Sequence, residues 1–156
     1  MTSPQERLAA LGLELPEVAP PVAAYVPAKV HGDLVYTAGQ LPFVSGALPA
    51  TGKVGEGHGL VTAADAYEYA RRSALNAIAA AAAAVGGVDR LTGVLKVTGF
   101  VASVPEFTGQ PGVINGASEL LAEVFGDDGR HARSAVGVPV LPLDSPVEVE
   151  VVFTVA

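Results

Sequence analysis

The sequence predicts an α+β fold in which two helices pack on one face of a mixed β-sheet. Three observations carry that expectation. Two stretches repeat apolar residues at helical spacing between a capping residue and a glycine stop. Shorter stretches alternate at the two-residue period of a strand. Their order, β-β-α-β-α-β-β, suits helices laid over a sheet rather than a sandwich or a bundle.

The elements follow in chain order. Ser3 is placed to cap a short helix with Pro4 at its first position, carrying Leu8, Leu11 and Leu13. Prolines 16, 20 and 21 stop it, so residues 1–20 read as a helical extension laid on a single domain, 21–156. Strands are expected over Tyr25–Val30 and Leu34–Ala38, joined by a hairpin turn at His31-Gly32-Asp33. Residues 42–59, rich in Gly and Pro, read as a loop. Thr62 caps a helix reaching about Val85, with Leu75, Ile78, Ala81, Ala82 and Val85 as its stripe and Gly86-Gly87 as its stop. Its small alanines let it lie close to a sheet. Val94–Ala102 is the next strand. A second helix starts near Pro111, carries Val113, Ala117, Leu120, Leu121 and Val124, and stops at Gly126. Ala132–Val138 and Val147–Val155 close the chain as strands.

Composition narrows the function. The chain of 156 residues is half hydrophobic but only 16% charged, so part of its surface is expected to be covered by another subunit. The net charge of −7 and the lack of a basic track argue against nucleic acid and against an anionic membrane surface. There is no cysteine, which removes thiol, disulfide and thiolate–metal chemistry. The first residues lack a basic and then apolar leader, so a cytoplasmic location is expected.

Several motifs fail on inspection. Gly46–Lys53 has one residue too many for a phosphate loop, and Val54 stands where a Ser or Thr would hold magnesium. Gly55-Glu56-Gly57-His58-Gly59 follows a loop rather than a strand and reads as a turn. Gly116–Leu120 misses the nucleophile-elbow pattern and falls inside a helix. His31, His58 and His131 have no metal-ligand spacing; His131, near Asp127 and Asp128, reads as part of a surface loop entering a strand.

One constellation survives. Strand alternation puts Arg133, Ala135 and Gly137 on one face, so a cationic fork stands beside small residues, which suits a pocket for a carboxylate. In the last strand Glu148 and Glu150 share the face opposite the valines, and their repulsion favours a raised pKa on one of them. A buried or interfacial ion pair of Arg133 with Glu150, leaving Glu148 solvated, is the competing arrangement.

The run Ala132-Arg133-Ser134-Ala135-Val136-Gly137-Val138, with Leu141-Pro142 and Val147-Glu148-Val149-Glu150, resembles the closing signature of the reactive-intermediate deaminase (RidA, or YjgF) family. Tyr25-Val26, Thr37–Pro42 and Val113-Ile114-Asn115 are similar to further elements of it, and the likeness runs from about Pro20 to Val155. The N-terminal helix and the longer loop from helix to strand resemble its longer members. The resemblance implies a chorismate-mutase-like fold and a homotrimer with clefts between subunits. It implies hydrolysis of reactive imines and enamines, such as 2-aminoacrylate, to a 2-keto acid and ammonia, without metal or cofactor. By the same resemblance Arg133 binds the carboxylate of a small metabolite and Glu148 positions water. Tyr25 and Asn115 line the cleft, and the backbone amides of Gly39 and Ala135 supply donors. Two departures set the alternative expectation. Ala38 stands where many members carry a Ser, and Ala135 where they carry a Cys, which favours a trimeric binder or sensor of small carboxylates without turnover. A ribonuclease, a label also attached to this family, is disfavoured by the acidic charge.

Overall fold

The caps expected from the sequence delimit the helices. In the computed structural model, which describes residues 2–18, 20–21 and 23–156, the chain runs α1 (Pro4–Ala10), β1 (Ala28–His31), β2 (Leu34–Thr37), α2 (Ala63–Val85), β3 (Leu91–Ala102), α3 (Gln110–Phe125), β4 (Ala132–Val138) and β5 (Val147–Val155). The Thr62 hydroxyl accepts from the Asp65 N–H at 3.1 Å, and Gly86 ends α2 at a φ of 90°, a conformation that only glycine adopts without strain. At α1 the Ser3 hydroxyl and the Glu6 carboxylate form a reciprocal capping box.

The sheet order is β1-β2-β5-β3-β4. All neighbours are antiparallel except β3 and β4, which run parallel, so the sheet is mixed as expected. Both long helices cover one face. The strand residues beneath them, Val97, Val101, Val147, Val149, Val151 and Phe153, are at most 1% exposed, which makes this layer the core. Leu8 of α1 is fully buried in the same cluster, and the Gln5 N–H donates to the Asp89 carboxylate at 2.9 Å, so α1 is docked at both levels. The opposite face carries Lys96, Thr98, Phe100, Ser134, Val136, Glu148, Glu150 and Val152, with Tyr36 48% and Val136 42% exposed.

Strand boundaries differ from expectation in two places. Tyr25 lies outside β1, which starts at Ala28, because Pro27 has no N–H to give to a ladder. β3 starts at Leu91, three residues before Val94, because register shifts at Leu91/Gly93 and Val94/Lys96 absorb the break in alternation. Residues 42–59 form an irregular connection pinned by fully buried Val54, which bridges to both Val61 and Ser103. Among the described residues no helix is long and apolar enough to cross a membrane.

The two long helices meet where α3 carries Gly116. A Cβ there would sit 2.0 Å from the Tyr67 carbonyl oxygen of α2, so the approach depends on the missing side chain. Gly116→Ala is therefore expected to lower stability by about 1–3 kcal/mol or more, read from the denaturant midpoint. Gly112→Ala on the same helix meets nothing within 4 Å and serves as the control, expected to be neutral or slightly stabilising.

Candidate functional site

Arg133 lies on β4 opposite Val97 of β3 and therefore points to the helix-covered face. There α3 receives it along one side. Nη1 donates to Asn115 Oδ1 at 2.8 Å and to Ser118 Oγ at 3.3 Å, and Nη2 donates to the Pro111 carbonyl at 3.3 Å. Residues 111, 115 and 118 recur at four- and three-residue intervals, the spacing of one helix face. All three partners are neutral. Of the five guanidinium N–H groups these bonds use three, leaving two on Nε and Nη2, atoms that share one edge of the planar fork. A charged fork fixed by neutral acceptors keeps its charge for an anion.

Glu148 lies on β5 opposite Phe100, on the uncovered face. The segment after β2 runs beside it. Gln40 and Val149 exchange backbone hydrogen bonds at 2.8 and 3.0 Å, and the Val151 N–H donates to the buried Thr37 hydroxyl at 3.0 Å. This pairing brings Gly39 against the carboxylate. A Cβ on Gly39 would lie 1.9 Å from Glu148 Oε1, so glycine is what leaves room for it. The Gly39 N–H makes no hydrogen bond among the described residues and is left as a donor beside Glu148. Gly39 also lines a small cleft with Tyr25, Pro27, Leu41, Phe43 and Leu143. Burial, and secondarily the neighbouring Glu150 charge, pushes the Glu148 carboxyl above the ordinary carboxylate range.

The residues singled out in the sequence thus fall into two groups. Arg133 and Asn115 meet on the helix side, with Ala135 next along the same strand face opposite Gly99. Gly39 joins the others: Glu148 lies against it on the uncovered face, and Tyr25 lines a cleft with it. Arg133 and Glu148 are two strands apart and on opposite faces. Within one chain Arg133 and Glu150 do not pair, for the same reason: Glu150 is exposed on the uncovered face. Among the described residues the salt bridges are Arg71–Glu123 and Arg130–Asp127, so neither Arg133 nor Glu148 has an ionic partner there.

The sequence reading missed Ser118 and its contact with His131. His131 stands in the loop that enters β4, as expected, but is half-buried there; its Nε2 lies 2.8 Å from Ser118 Oγ and its Nδ1 lies 2.7 Å from the Gly129 carbonyl. Burial, followed by the charge of Arg133, lowers its pKa against the opposing pull of the Gly129 carbonyl. Only the helical spacing of Ser118 from Asn115 and Pro111 hinted at this contact. No three His, Asp or Glu side chains gather as a metal-binding group among the described residues.

Comparison with known proteins bears on this arrangement. Residues 5–155 match the model of the family described as "YjgF/chorismate_mutase-like, putative endoribonuclease". The chain is 42% identical over 143 residues to Protein TCP17 of Trypanosoma cruzi, covering 90% of this chain and 86% of that protein. It is similar to a crystal structure of a protein of unknown function from Agrobacterium tumefaciens, with 42% identity, a TM-score of 0.88 and coverage of 98% and 92%. It also resembles the YjgF gene product of E. coli, with 26% identity, a TM-score of 0.61 and coverage of 88% and 92%.

Because the raised pKa belongs to the folded state, the stability contributed by Glu148 is complete at acid pH and is lost as the pH rises through the folded value. Side-chain carboxyl NMR is expected to place the Glu148 titration above that of the exposed glutamates. Glu150→Gln should lower it only in part, since burial is the larger cause. A Glu148 titration at or below the ordinary range would show that burial does not control it.

Proposed function

The chain belongs to the YjgF/chorismate mutase-like family, and from that premise we propose that it hydrolyses small 2-imino and enamine acids to 2-keto acids and ammonia, at sites assembled between copies of the chain. The observation that carries this reading is the division of the candidate residues. Arg133 offers two unspent donors on one side of the sheet. Glu148 and the Gly39 N–H wait on the other. Neighbouring strands lie about 4.8 Å apart, so a ligand of a few atoms cannot touch both groups of one chain. It touches both when one copy supplies Arg133 and Asn115 and a second supplies Glu148, Gly39 and Tyr25. A homotrimer, as the family resemblance implies, closes such a head-to-tail contact into a ring. The uncovered sheet face, with Tyr36 and Val136 exposed on it, is then the contact surface.

The chemistry asks little of the protein. Arg133 binds the carboxylate through two parallel N–H donors and so fixes the adjacent imine carbon. Water adds to that carbon as Glu148 accepts its proton. From the protonated imine this gives a neutral carbinolamine; Glu148 returns the proton to nitrogen, the C–N bond breaks to release ammonia, and the hydroxyl proton passes to the freed carboxylate as the C=O of the 2-keto acid forms. A carboxyl held above its ordinary range takes up a proton more readily than a free carboxylate, which suits it to accepting and returning one. No metal or organic cofactor is required for this addition and elimination. Ala38 and Ala135 support a second reading, in which the same site binds a small carboxylate without turnover, since neither offers a hydroxyl or thiol to orient water. The net charge of −7 disfavours RNA as the substrate.

The test generates 2-aminoacrylate with a pyridoxal-phosphate-dependent dehydratase and follows pyruvate. Acceleration above the spontaneous rate is expected, and Arg133→Ala or Glu148→Gln should reduce it by about a hundredfold or more. No acceleration at high protein concentration, with saturable pyruvate binding that Arg133→Ala abolishes, would leave the binder. Two inactive variants also report the geometry. Arg133→Ala and Glu148→Gln chains, refolded together in equal amounts, should recover about a quarter of the wild-type sites, because one interface in four pairs the intact residues. No recovery would place both residues of each site in a single chain. Gly39→Ala should keep the fold, since the displaced atoms are the flexible end of Glu148, and lose activity.

A further inference from the structure

Ser118 and His131 take no part in the scheme above, yet they form a continuous hydrogen-bonded chain behind its cation. The Gly129 carbonyl only accepts, so His131 Nδ1 carries the proton. In the neutral ring Nε2 is then an acceptor, and it takes the Ser118 hydroxyl hydrogen across 2.8 Å. That leaves the Ser118 lone pairs to accept from Arg133 Nη1 at 3.3 Å. Each donor and acceptor along Arg133, Ser118, His131 and Gly129 has one role, with no conflict. We infer that Ser118 and His131 are positioning residues that fix the guanidinium of Arg133 for carboxylate binding.

A helical serine left alone turns its hydroxyl to the carbonyl four residues back. Its lone pairs then no longer face a defined direction. His131 prevents this by capturing the hydroxyl hydrogen. The histidine is in turn held because the Gly126–Gly129 turn lies directly on α3. A Cβ on Gly129 would sit 2.5 Å from the Leu121 carbonyl oxygen and 3.0 Å from Ala122 Cα, so only glycine lets the turn approach this closely. That contact sets His131 over Ser118, one helical turn before Leu121. The lowered pKa of His131 keeps the ring neutral near neutral pH, as an acceptor at Nε2 requires.

This inference rests on the assignment of Arg133 as carboxylate anchor, and two replacements separate positioning from plain support of the turn. In His131→Asn the amide nitrogen takes the place of Nδ1 and still donates to Gly129, but nothing accepts from Ser118. In His131→Gln the side-chain oxygen reaches the place of Nε2 and accepts from Ser118. Pyruvate binding, measured by calorimetry, should weaken on the order of tenfold in His131→Asn and in Ser118→Ala and be rescued to within about threefold in His131→Gln. The free protein gives a second readout: the Arg133 Nη protons should be resolved by NMR in the wild type and in His131→Gln, and averaged by rotation in the other two. Equal binding and equal Nη signals in all variants overturn the inference, as does preservation in His131→Asn with loss in His131→Gln. If the wild type binds no pyruvate but the Nη signals follow the stated order, the positioning stands and the substrate reading fails.

Discussion

Strand β3 is paired in parallel to β4 and antiparallel to β5, and the geometry of the site depends on that pairing. Val97 stands between Arg133 and Val151, and Phe100 between Val136 and Glu148. Because side chains alternate across a pleated sheet, this register sends Arg133 under α3 and Glu148 to the uncovered face. A slip of one residue in either neighbour would exchange a buried apolar set for a charged one. The core valines hold the register that keeps the two charges apart, so packing and the division of the site are one constraint.

Each charge is handled differently. Arg133 is held by neutral oxygen acceptors, which take three of its five donors without cancelling its charge. Glu148 has no such bonds, and burial beside Glu150 raises its pKa. On the proposed function, a permanently charged anchor and a titratable carboxyl would serve a carboxylate-bearing imine, one for binding and one for moving a proton. The hydrogen-bonded histidine behind Arg133 extends the same logic by one layer, since orientation matters most for a group whose bonds must form in parallel.

Several close approaches leave no room for a side chain. Gly116 admits the α2 backbone, Gly39 admits the Glu148 carboxylate, and Gly129 admits the turn that carries His131. In a sequence all three look like ordinary flexibility. Their meaning lies in what approaches them, and in each case the approaching group is distant along the chain.

Much of this was legible in the sequence because it is local. Thr62, Gly86 and Ser3 act within one helical turn, and the alternation of Arg133, Ala135 and Gly137 or of Val147 to Val155 acts between next-but-one neighbours. These signals named the helices, the strands and the faces, and the motif that surrounds Arg133 named the family. The start of β3 was obscured because its bulges break the alternation from which a strand is read. What the sequence could not determine is which faces meet. That Arg133 and Glu148 point to opposite sides follows from strand order and direction. That His131, in the loop entering β4, lies on Ser118 follows from Gly129 docking on Leu121. Both are set by the packing of segments distant in sequence, where no local period carries the information, and only the tertiary structure decides them.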